Sequence, residues 1–402
     1  MENQTELPRR FLASVRGVVV RAVLFVSTPA ALVCRILGIR FLGTGLEHRI
    51  GHLVAEPYLA FRVSQQPGTR LKRIYLLYNP AKVVNPDILK YLPRIFVWHQ
   101  SPTLRLLLRP LQRHPMSTID MTEGVRTTSK AATIFAAIPQ KVTPLFPLLA
   151  DEPGRAVLER FGLRDVDWFV AVHIRQSSEL DQGEMHSYRN ATLDSFFEMF
   201  DAVRDLGGAI VRLGDRDMDR LPSMPRVVDY AHLRAKPSSM DVRLASSARL
   251  FVGSTSGPLA LAGVQGTPIV GVNMAPFGAA RVWGPKDIFC PKLYFSLEMG
   301  RTLTFAEVVG SSSPRLADIR FSEGFARERI ALIETPGDEI LEATLEGLKI
   351  GRYKSTPPPK IRKLQAELDA LFDQGNYSFY SKSKASRYFL EKHRQLIESP
   401  KP

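Results

Sequence analysis

An arginine and a loop of small hydroxyl residues are the features of this sequence best suited to hold an anion. Arg175 follows an apolar run that ends at His173. A guanidinium grips phosphate through paired hydrogen bonds and keeps its charge over the physiological pH range. The loop of residues 253–257, GSTSG, lies between an apolar strand and an apolar helix, so free backbone N–H groups and the positive end of the helix dipole would meet in it. Together the two features predict a pocket for a phosphate or a diphosphate.

Both features also have a purely structural interpretation, which the sequence leaves open. The hydroxyls at 254–256 would cap the following helix, as Ser and Thr do in many proteins. Arg175 would then pair with Asp215 or Glu179, since a buried arginine is usually paired. The loop has neither the lysine of a P-loop nor the spacing of a G-x-G-x-x-G motif. Its function therefore depends on what else gathers around it.

Alternating strands and helices in the second half predict the sheet that would bring these residues together. The pattern gives helices over 192–205, 239–247 and from 258 onward, and strands over 168–174, 209–213, 227–230, 249–252 and 269–272. This order is typical of a doubly wound parallel sheet. Polar residues follow the strands, among them His173, Asp215 and Asn273. Ligands of such sheets bind at the carboxyl ends of the strands, so the sequence places a candidate site at that edge.

The first third of the chain and the C-terminal tail give weaker patterns. In the first third, residues 46–61 contain a predicted Gly-His loop at 51–52 followed by helical periodicity, short helices are predicted over 86–91 and 104–109, and strands are predicted over 73–78 and 95–98. We expect Pro110 to end the second of these helices. Prolines cluster between residues 139 and 155, which predicts a domain boundary. The tail is basic and has helical periodicity.

Composition points to an anionic partner, and the N-terminus points to a membrane surface. The 402 residues carry a formal net charge of +14, and two cysteines give neither a disulfide framework nor a metal-binding spacing. From Arg9 to Leu42 the chain is apolar and studded with arginines. Its uncharged run, residues 22–34, falls short of the roughly 20 apolar residues that a spanning helix needs. We therefore expect a basic amphipathic arm in the interface of an anionic leaflet, with a spanning helix and a buried helix as the alternatives. The pattern of aromatic and basic residues typical of RNA-binding modules is missing, so no nucleic-acid partner is expected.

Several longer motifs resemble a bacterial family of GT-B glycosyltransferases found with surface-polysaccharide genes. The resemblance extends from Arg49 to Leu348, and its motifs are RIGHLVAEP, VHIRQSSEL, SYRNATLDSF, VRLGDRDM, VVDYAHLRAK, DVRLASSARLFVGSTSGPLAL and GTPIVGVN. The H-x-R element is also similar to the fucosyltransferase group of GT-B enzymes, in which the arginine contacts the donor diphosphate. Gln176 follows Arg175 here, where those enzymes often carry a second basic residue.

The resemblance implies an α/β protein of the GT-B fold, with two Rossmann-like domains facing a cleft. On this chain the two domains would be an acceptor domain at 43–150 and a nucleotide-sugar domain at 151–335. The membrane arm expected from composition would occupy 1–42, and the helical periodicity of the tail predicts a C-terminal helical extension at 336–402. It implies that neither a metal nor another cofactor is needed, since this fold generally neutralises the leaving diphosphate with Arg, Lys and helix dipoles. The donor-binding candidates are His173, Arg175, Tyr188, Arg189, Asn190, Asp215, Ser254, Thr255, Ser256 and Gly257.

Catalysis of an inverting transfer would need a base near the acceptor hydroxyl. His52, in a Gly-His pair near the start of the acceptor domain, is a candidate because an imidazole titrates near neutral pH. Local packing of His52 is the alternative. Glu179 and Glu184, on the segment after Arg175, are other candidate bases, and Arg175 would stabilise the leaving group.

These observations together predict a glycosyltransferase that takes its sugar from a nucleotide-sugar. Its acceptor would be a glycolipid or a polysaccharide, and the protein would be peripheral at the cytoplasmic face of the inner membrane. Two alternatives stay open at this point. One is a sugar-nucleotide epimerase of the same fold, and the other is a non-catalytic protein that binds a nucleotide-sugar.

Overall fold

The chain divides into two compact units, residues 1–123 and 124–402. The predicted nucleotide-sugar domain and the predicted C-terminal extension both fall in the second unit. The computed structural model describes residues 6–43, 45–66, 68–119, 143–150, 153–176, 183–237, 239–311, 315–374 and 377–397.

A small parallel sheet forms the centre of the first unit. Its strands, which lie side by side in chain order, are β1 (Ile39–Leu42), β2 (Arg73–Leu76) and β3 (Phe96–Trp98). The helices of this unit are Glu6–Leu37, Ile50–Ser64 and Pro102–Arg113, with a 3-10 helix at Asp87–Tyr91. Helix Ile50–Ser64 connects β1 to the parallel strand β2, as such crossovers require. The sequence did not reveal β1, because its four residues continue the apolar composition of the helix before them.

Helix Pro102–Arg113 continues through Pro110, so the prediction that this proline ends the helix is wrong. A proline inside a helix removes one backbone hydrogen bond, here to the carbonyl of Leu106. None of the residues of this helix is buried. Water can therefore reach the released carbonyl, which lowers the cost of the interruption.

The N-terminal helix, Glu6–Leu37, exposes much of its apolar surface. Phe25 is 81% exposed and Val26 is 78% exposed, whereas Ala31 is fully buried. The hydroxyl of Thr28 lies 3.2 Å from Nε2 of His114, which fixes the helix to the end of helix Pro102–Arg113. Within it, Val18–Leu37 is long and apolar enough to cross a bilayer by length and composition alone. An interfacial helix also fits these features, and membrane contact stays a prediction.

A large parallel sheet forms the core of the second unit. Its strands are β4 (Phe169–His173), β5 (Ala209–Arg212), β6 (Val227–Asp229), β7 (Leu250–Gly253), β8 (Ile269–Met274), β9 (Ile288–Pro291) and β13 (Lys384–Ala385). They lie in the order β13-β9-β8-β7-β4-β5-β6, and all their pairings are parallel. Every residue of β4, β7 and β8 is buried, as expected for a sheet covered on both faces. The prediction of a large parallel sheet is confirmed.

Helices and a small antiparallel sheet surround this core. The small sheet has the strands β10 (Leu293–Ser296), β11 (Arg301–Thr302) and β12 (Ile330–Ile333), in the order β11-β10-β12. The α-helices are Pro147–Ala150, Gly154–Glu159, Phe197–Asp205, Met240–Ser247, Gly257–Gln265, Phe305–Gly310, Ser322–Arg327, Gly337–Gly347, Pro359–Ala370, Tyr377–Tyr380, Arg387–Lys392 and Arg394–Ile397. The 3-10 helices are Gly183–Arg189, Leu193–Phe196, Tyr230–His232, Phe277–Ala279, Leu316–Asp318 and Gly351–Lys354.

The C-terminal tail is part of the packed second unit. Its strand β13 pairs with β9 at the edge of the large sheet. Leu364, Phe389 and Leu390 are buried to 1% exposure or less. The tail therefore adds both a strand and apolar contacts to the core.

Candidate functional site

Strands β4 and β7 bring Arg175 and the small-residue loop to the same edge of the large sheet. The two strands are parallel neighbours, and His173 is in register with Gly253. A Cβ atom on Gly253 would lie 2.6 Å from the carbonyl oxygen of His173, so this close approach requires glycine. Arg175 is 8% exposed and His173 is 4% exposed. At the carboxyl ends of these two adjacent strands, the guanidinium of Arg175 therefore follows β4 and the hydroxyls of the GSTSG loop follow β7.

The hydroxyls of the loop divide between the two roles that the sequence left open. Ser256 is the N-cap of helix Gly257–Gln265, because its Oγ accepts a hydrogen bond of 3.3 Å from the N–H of Leu259. Ser254 is 1% exposed, and its Oγ has no hydrogen-bond partner among the described residues. A buried hydroxyl without a partner costs free energy, so a ligand oxygen would stabilise it. Thr255 lies between them, with its Oγ1 3.6 Å from the sulfur of Met274.

Three guanidinium groups surround the phenol of Tyr188. Burial raises the pKa of Tyr188, while the charges of Arg189, Arg320 and Arg175 act to lower it. Arg189 also lies over the ring of Tyr188, 5.4 Å from its centroid. The positive charges of three arginines therefore act on one phenol, an arrangement that would attract an anion.

Helix Ser322–Arg327 positions the segment that carries Tyr188 and Arg189. The hydroxyl of Ser322 accepts a hydrogen bond from the N–H of Tyr188 at 3.2 Å and lies 2.9 Å from the hydroxyl of Ser187. The ring of Tyr188 packs 5.4 Å from the ring of Phe325. These contacts fix the backbone of the 3-10 helix Gly183–Arg189, and with it the direction of its side chains.

A buried lysine supports Asn190, the fourth residue of the SYRN motif. Nζ of Lys292 donates a hydrogen bond of 2.6 Å to the backbone oxygen of Asn190. Lys292 is 3% exposed, and its burial lowers the pKa of the ammonium group, against which the charge of Glu334 acts. Lys292 follows β9, and Arg320 precedes helix Ser322–Arg327. The sequence analysis assigned a role to neither residue, because the contacts of Lys292 with Asn190 and of Arg320 with the surroundings of Tyr188 join segments that are distant in the chain.

Asp215 lies in a group of charged residues at the carboxyl end of β5. Lys236 donates a hydrogen bond of 3.0 Å to the carbonyl of the preceding Gly214. Burial raises the pKa of Asp241 to about 6. The charge of Lys236 acts to lower this pKa, and the charge of Asp215 acts to raise it further. Asp215 is therefore next to a lysine and a buried carboxyl group, a setting that could receive sugar or ribose hydroxyls.

Asp229, the last residue of the neighbouring strand β6, is occupied by structural contacts. Its Oδ1 accepts a hydrogen bond of 3.1 Å from Arg212, a fully buried residue of β5. Its Oδ2 accepts a hydrogen bond of 3.0 Å from the N–H of Leu221. Arg212 also donates to Oε1 of Gln176 at 3.3 Å. This network anchors the residue that follows Arg175.

In the first unit, His52 lies in helix Ile50–Ser64 and not in a loop, which corrects the local prediction. Its Nδ1 is 2.9 Å from Oε1 of Glu56, a buried carboxylate one turn further on. A carboxylate in this position orients an imidazole. The other candidate bases, Glu179 and the side chain of Glu184, lie outside the described part of the chain.

No protein-family model matches the chain, and no curated protein sequence matches it. Three of the solved structures that it resembles are described as glycosyltransferases or as a heptosyltransferase. One is the iron-containing dodecameric glycosyltransferase TibC from enterotoxigenic E. coli H10407, at 16% identity over 63% of this chain and 61% of TibC, with a TM-score of 0.37. A second TibC structure, the heptosyltransferase in complex with ADP-D-beta-D-heptose, gives 15% identity over 63% and 62%, with the same TM-score.

A third match is a glycosyl transferase family 9 structure from Veillonella parvula DSM 2008. It has 14% identity over 71% of this chain and 78% of the matched chain, with a TM-score of 0.30. This chain therefore spans about three fifths of TibC and about four fifths of the Veillonella protein. At this level of similarity the matches carry no conclusion about donor, acceptor or mechanism.

The expectation that the protein needs no cofactor is contradicted, because TibC is described as iron-containing. In the part of this chain that the structure describes, no group of three or more His, Cys, Asp or Glu side chains is placed to hold a metal ion.

Proposed function

We propose that this protein is a glycosyltransferase that moves a sugar from a nucleotide-activated donor to a lipid-linked or surface-polysaccharide acceptor. One observation carries the proposal. The guanidinium of Arg175 follows β4, and the buried hydroxyl of Ser254, which has no partner among the described residues, follows β7. Because the two strands are parallel neighbours, both groups lie at the same carboxyl edge of the sheet. A diphosphate needs such a combination of fixed cations and hydrogen-bond donors.

The charges around Tyr188 support the same assignment. Departure of the nucleoside diphosphate from the sugar leaves negative charge on a phosphate oxygen. Arg175 would stabilise that charge, with Arg189 and Arg320 close by and the N-terminus of helix Gly257–Gln265 on the neighbouring strand. Ser254 would donate its hydroxyl hydrogen to a phosphate oxygen. In the transfer, the bond between the anomeric carbon and the leaving oxygen breaks, and the acceptor oxygen bonds to that carbon.

The acceptor hydroxyl loses its proton in this step, and His52 is the candidate base that the described residues offer. Its contact with Glu56 would hold the imidazole in a fixed orientation for this proton transfer. We place the protein at the cytoplasmic face of the inner membrane, as a peripheral protein held by its N-terminal helix. The support for this location is the apolar surface of that helix and the net charge of +14.

The test is donor binding by the purified full-length protein, followed by transfer. We would measure the thermal stability with UDP-, GDP-, dTDP- and CMP-sugars, because a ligand at about 100 times its Kd stabilises by about 2.7 kcal/mol. Arg175→Ala should abolish the shift that the preferred donor causes, and it should abolish transfer. Arg327→Ala is the matched control, since this arginine of the same unit has a side chain that is 67% exposed.

Each other outcome has a definite meaning. A normal donor shift and normal transfer by Arg175→Ala would refute the donor-site assignment. A product formed from the donor without any acceptor would identify an epimerase instead. A donor shift without turnover, with every acceptor class tried, would favour a protein that only binds nucleotide-sugars.

A further inference from the structure

The first unit contains a cavity of about 770 Å³ that the sequence analysis did not anticipate. Gly43 follows β1 and Asn79 lies three residues after β2, so the cavity lies at the carboxyl ends of two parallel strands. Ligands of parallel sheets bind at this edge. The volume is within the range of small-molecule binding sites, roughly 300–1,000 Å³.

Four cationic side chains line this cavity. Arg105, Arg109 and Arg113 follow each other at intervals of four on helix Pro102–Arg113, and Lys82 faces them from the segment after β2. Like charges at this spacing destabilise a helix. Among the described residues none of the four has an acidic partner, and Nη1 of Arg105 is buried without a hydrogen-bond acceptor. An anionic ligand would supply both the missing charge and the missing acceptor.

A single carboxylate, Glu47, is present in the lining. Its Oε1 accepts a hydrogen bond of 3.0 Å from the N–H of Asn79, so this oxygen holds the loops of β1 and β2 together. Gln112 has a similar role, because its Nε2 donates a hydrogen bond of 2.7 Å to the carbonyl of Gly43. Because four cations and one carboxylate line the cavity, its lining has a net positive charge and favours an anionic ligand.

The helix that carries the three arginines also carries an exposed apolar surface. Leu106 lines the cavity and is 68% exposed, and Leu107 is 69% exposed. Helix Pro102–Arg113 packs against the N-terminal helix, whose Phe25 is 81% exposed. A basic cavity whose lining continues into exposed leucines suits a molecule with an anionic head and a hydrocarbon chain.

We infer that this cavity binds the phosphate or diphosphate head of a lipid, with the lipid chain leaving over Leu106 and Leu107. The role of this lipid as the acceptor carrier rests on the function proposed above. Binding itself does not depend on that function, because the residues involved belong to the first unit and the donor-site residues belong to the second.

Calorimetric titration of the full-length protein without a nucleotide-sugar tests the inference. The probes are farnesyl phosphate below its micelle concentration, farnesol and inorganic phosphate. We expect farnesyl phosphate to bind at least about tenfold more tightly than either of the other two, because only it engages both parts of the site. Similar affinity for farnesol would overturn the role of the cations. Similar affinity for inorganic phosphate would overturn the lipid and leave a free-phosphate site.

Two pairs of substitutions separate this cavity from a general effect of charge. Arg105→Ala with Arg109→Ala should weaken farnesyl phosphate binding at least about tenfold, since both charge-assisted hydrogen-bond donors are removed. Arg70→Ala with Arg73→Ala removes the same charge from exposed positions of the same unit and should leave the affinity unchanged. Equal losses in the two pairs would refute a specific site.

A further pair keeps the test decisive if the alanine variant unfolds. Arg105→Lys with Arg109→Lys preserves the charge and the helix but loses the paired hydrogen bonds. It should bind farnesyl phosphate with intermediate affinity, and wild-type affinity would refute the role of the guanidinium groups. Leu106→Ser with Leu107→Ser should weaken farnesyl phosphate binding and leave the affinity for inorganic phosphate unchanged. If the serine pair binds farnesyl phosphate normally, the proposed path of the lipid chain is wrong.

Failure of the donor test and failure of this test are distinguishable. Lipid phosphate binding without any donor shift would leave the cavity assigned and refute the transferase. A donor shift without lipid phosphate binding would refute the lipid site and leave the proposed transferase standing.

Discussion

Two serines of one loop have different surroundings, and this difference separates ligand binding from helix capping. Ser256 caps helix Gly257–Gln265, whereas Ser254 is buried and has no partner among the described residues. We expect Ser256→Ala to lower the free energy of unfolding by about 1 kcal/mol, the usual cost of a lost cap. We expect Ser254→Ala to leave the stability of the unliganded protein unchanged or slightly raised, because it removes an unsatisfied buried group.

The two variants should also differ with ligand present. Ser254→Ala should reduce the thermal shift caused by the preferred nucleotide-sugar, while Ser256→Ala should retain most of it. Chemical denaturation and thermal-shift titration of both variants measure the two effects. A destabilised Ser254→Ala with a normal donor shift would assign this hydroxyl a structural role.

The sequence revealed the residue types of this site better than it revealed which residues contact each other. Arg175 and the GSTSG loop are recognisable because their chemistry and their position after apolar runs are local properties. The convergence of Arg320 and Lys292 on the same region is not local, since it depends on helix Ser322–Arg327 packing against the 3-10 helix Gly183–Arg189. The capping role of Ser256 and the isolation of Ser254 likewise depend on the position of each hydroxyl, which composition does not determine.

At the scale of elements, the start of helix Met240–Ser247 gives a prediction about pH. Asp241 lies in its first turn, where the helix dipole favours a negative charge. Burial nevertheless raises the pKa of Asp241 from 3.8 to about 6. The folded state therefore binds this proton more tightly than the unfolded state does. The contribution of Asp241 to stability is lost as the pH rises from about 4 to about 6.

Asp241→Asn removes this dependence. At pH 7.5 the variant should be more stable than the wild type by up to about 3 kcal/mol, since one pKa unit corresponds to 1.36 kcal/mol. The difference should shrink as the pH falls through 6 and vanish near pH 4. Urea denaturation at a series of pH values measures it, with the exposed Asp194→Asn as the control for neutralising a carboxylate. If the difference in the free energy of unfolding between the wild type and the variant does not change with pH, the assigned pKa shift is contradicted.

The predictions of elements succeeded where burial and periodicity agree. Strands β4, β7 and β8 are apolar runs buried on both faces, and they lie where the sequence predicts strands. One prediction failed where solvent exposure determines whether a helix tolerates a proline. Pro110 does not end its helix, because an exposed helix can leave a carbonyl to water. The short strand β1 was hidden in apolar sequence, and its pairing with β2 is a tertiary contact.

At the scale of the whole molecule, positive charge and exposed apolar surface are combined in the first unit. Leu106 and Leu107 of helix Pro102–Arg113 and Phe25 and Val26 of the N-terminal helix are all more than two thirds exposed. A soluble surface rarely exposes so many large apolar side chains on two helices that pack together. The net charge of +14 adds attraction to anionic lipids.

Substitution of the exposed face is a sharper test of membrane binding than deletion of the arm. Removal of residues 1–42 would also remove β1 and the buried Ala31, so that the first unit would lose part of its core. Phe25→Glu with Val26→Glu changes only exposed positions. It should preserve the thermal stability and shift the protein from sedimented vesicles to the supernatant, because two charges cannot enter the interface without cost.

Vesicles with 30% phosphatidylglycerol would provide the anionic surface, and vesicles of phosphatidylcholine alone would reveal how much of the binding depends on charge. Leu206→Glu with Phe321→Glu introduces the same charges at exposed apolar positions of the second unit and should leave sedimentation unchanged. If the Phe25 and Val26 variant still sediments like the wild type, the N-terminal helix does not hold the protein to the bilayer. If it sediments less and still transfers sugar to a water-soluble acceptor, the exposed face of the helix serves location and is not needed for catalysis.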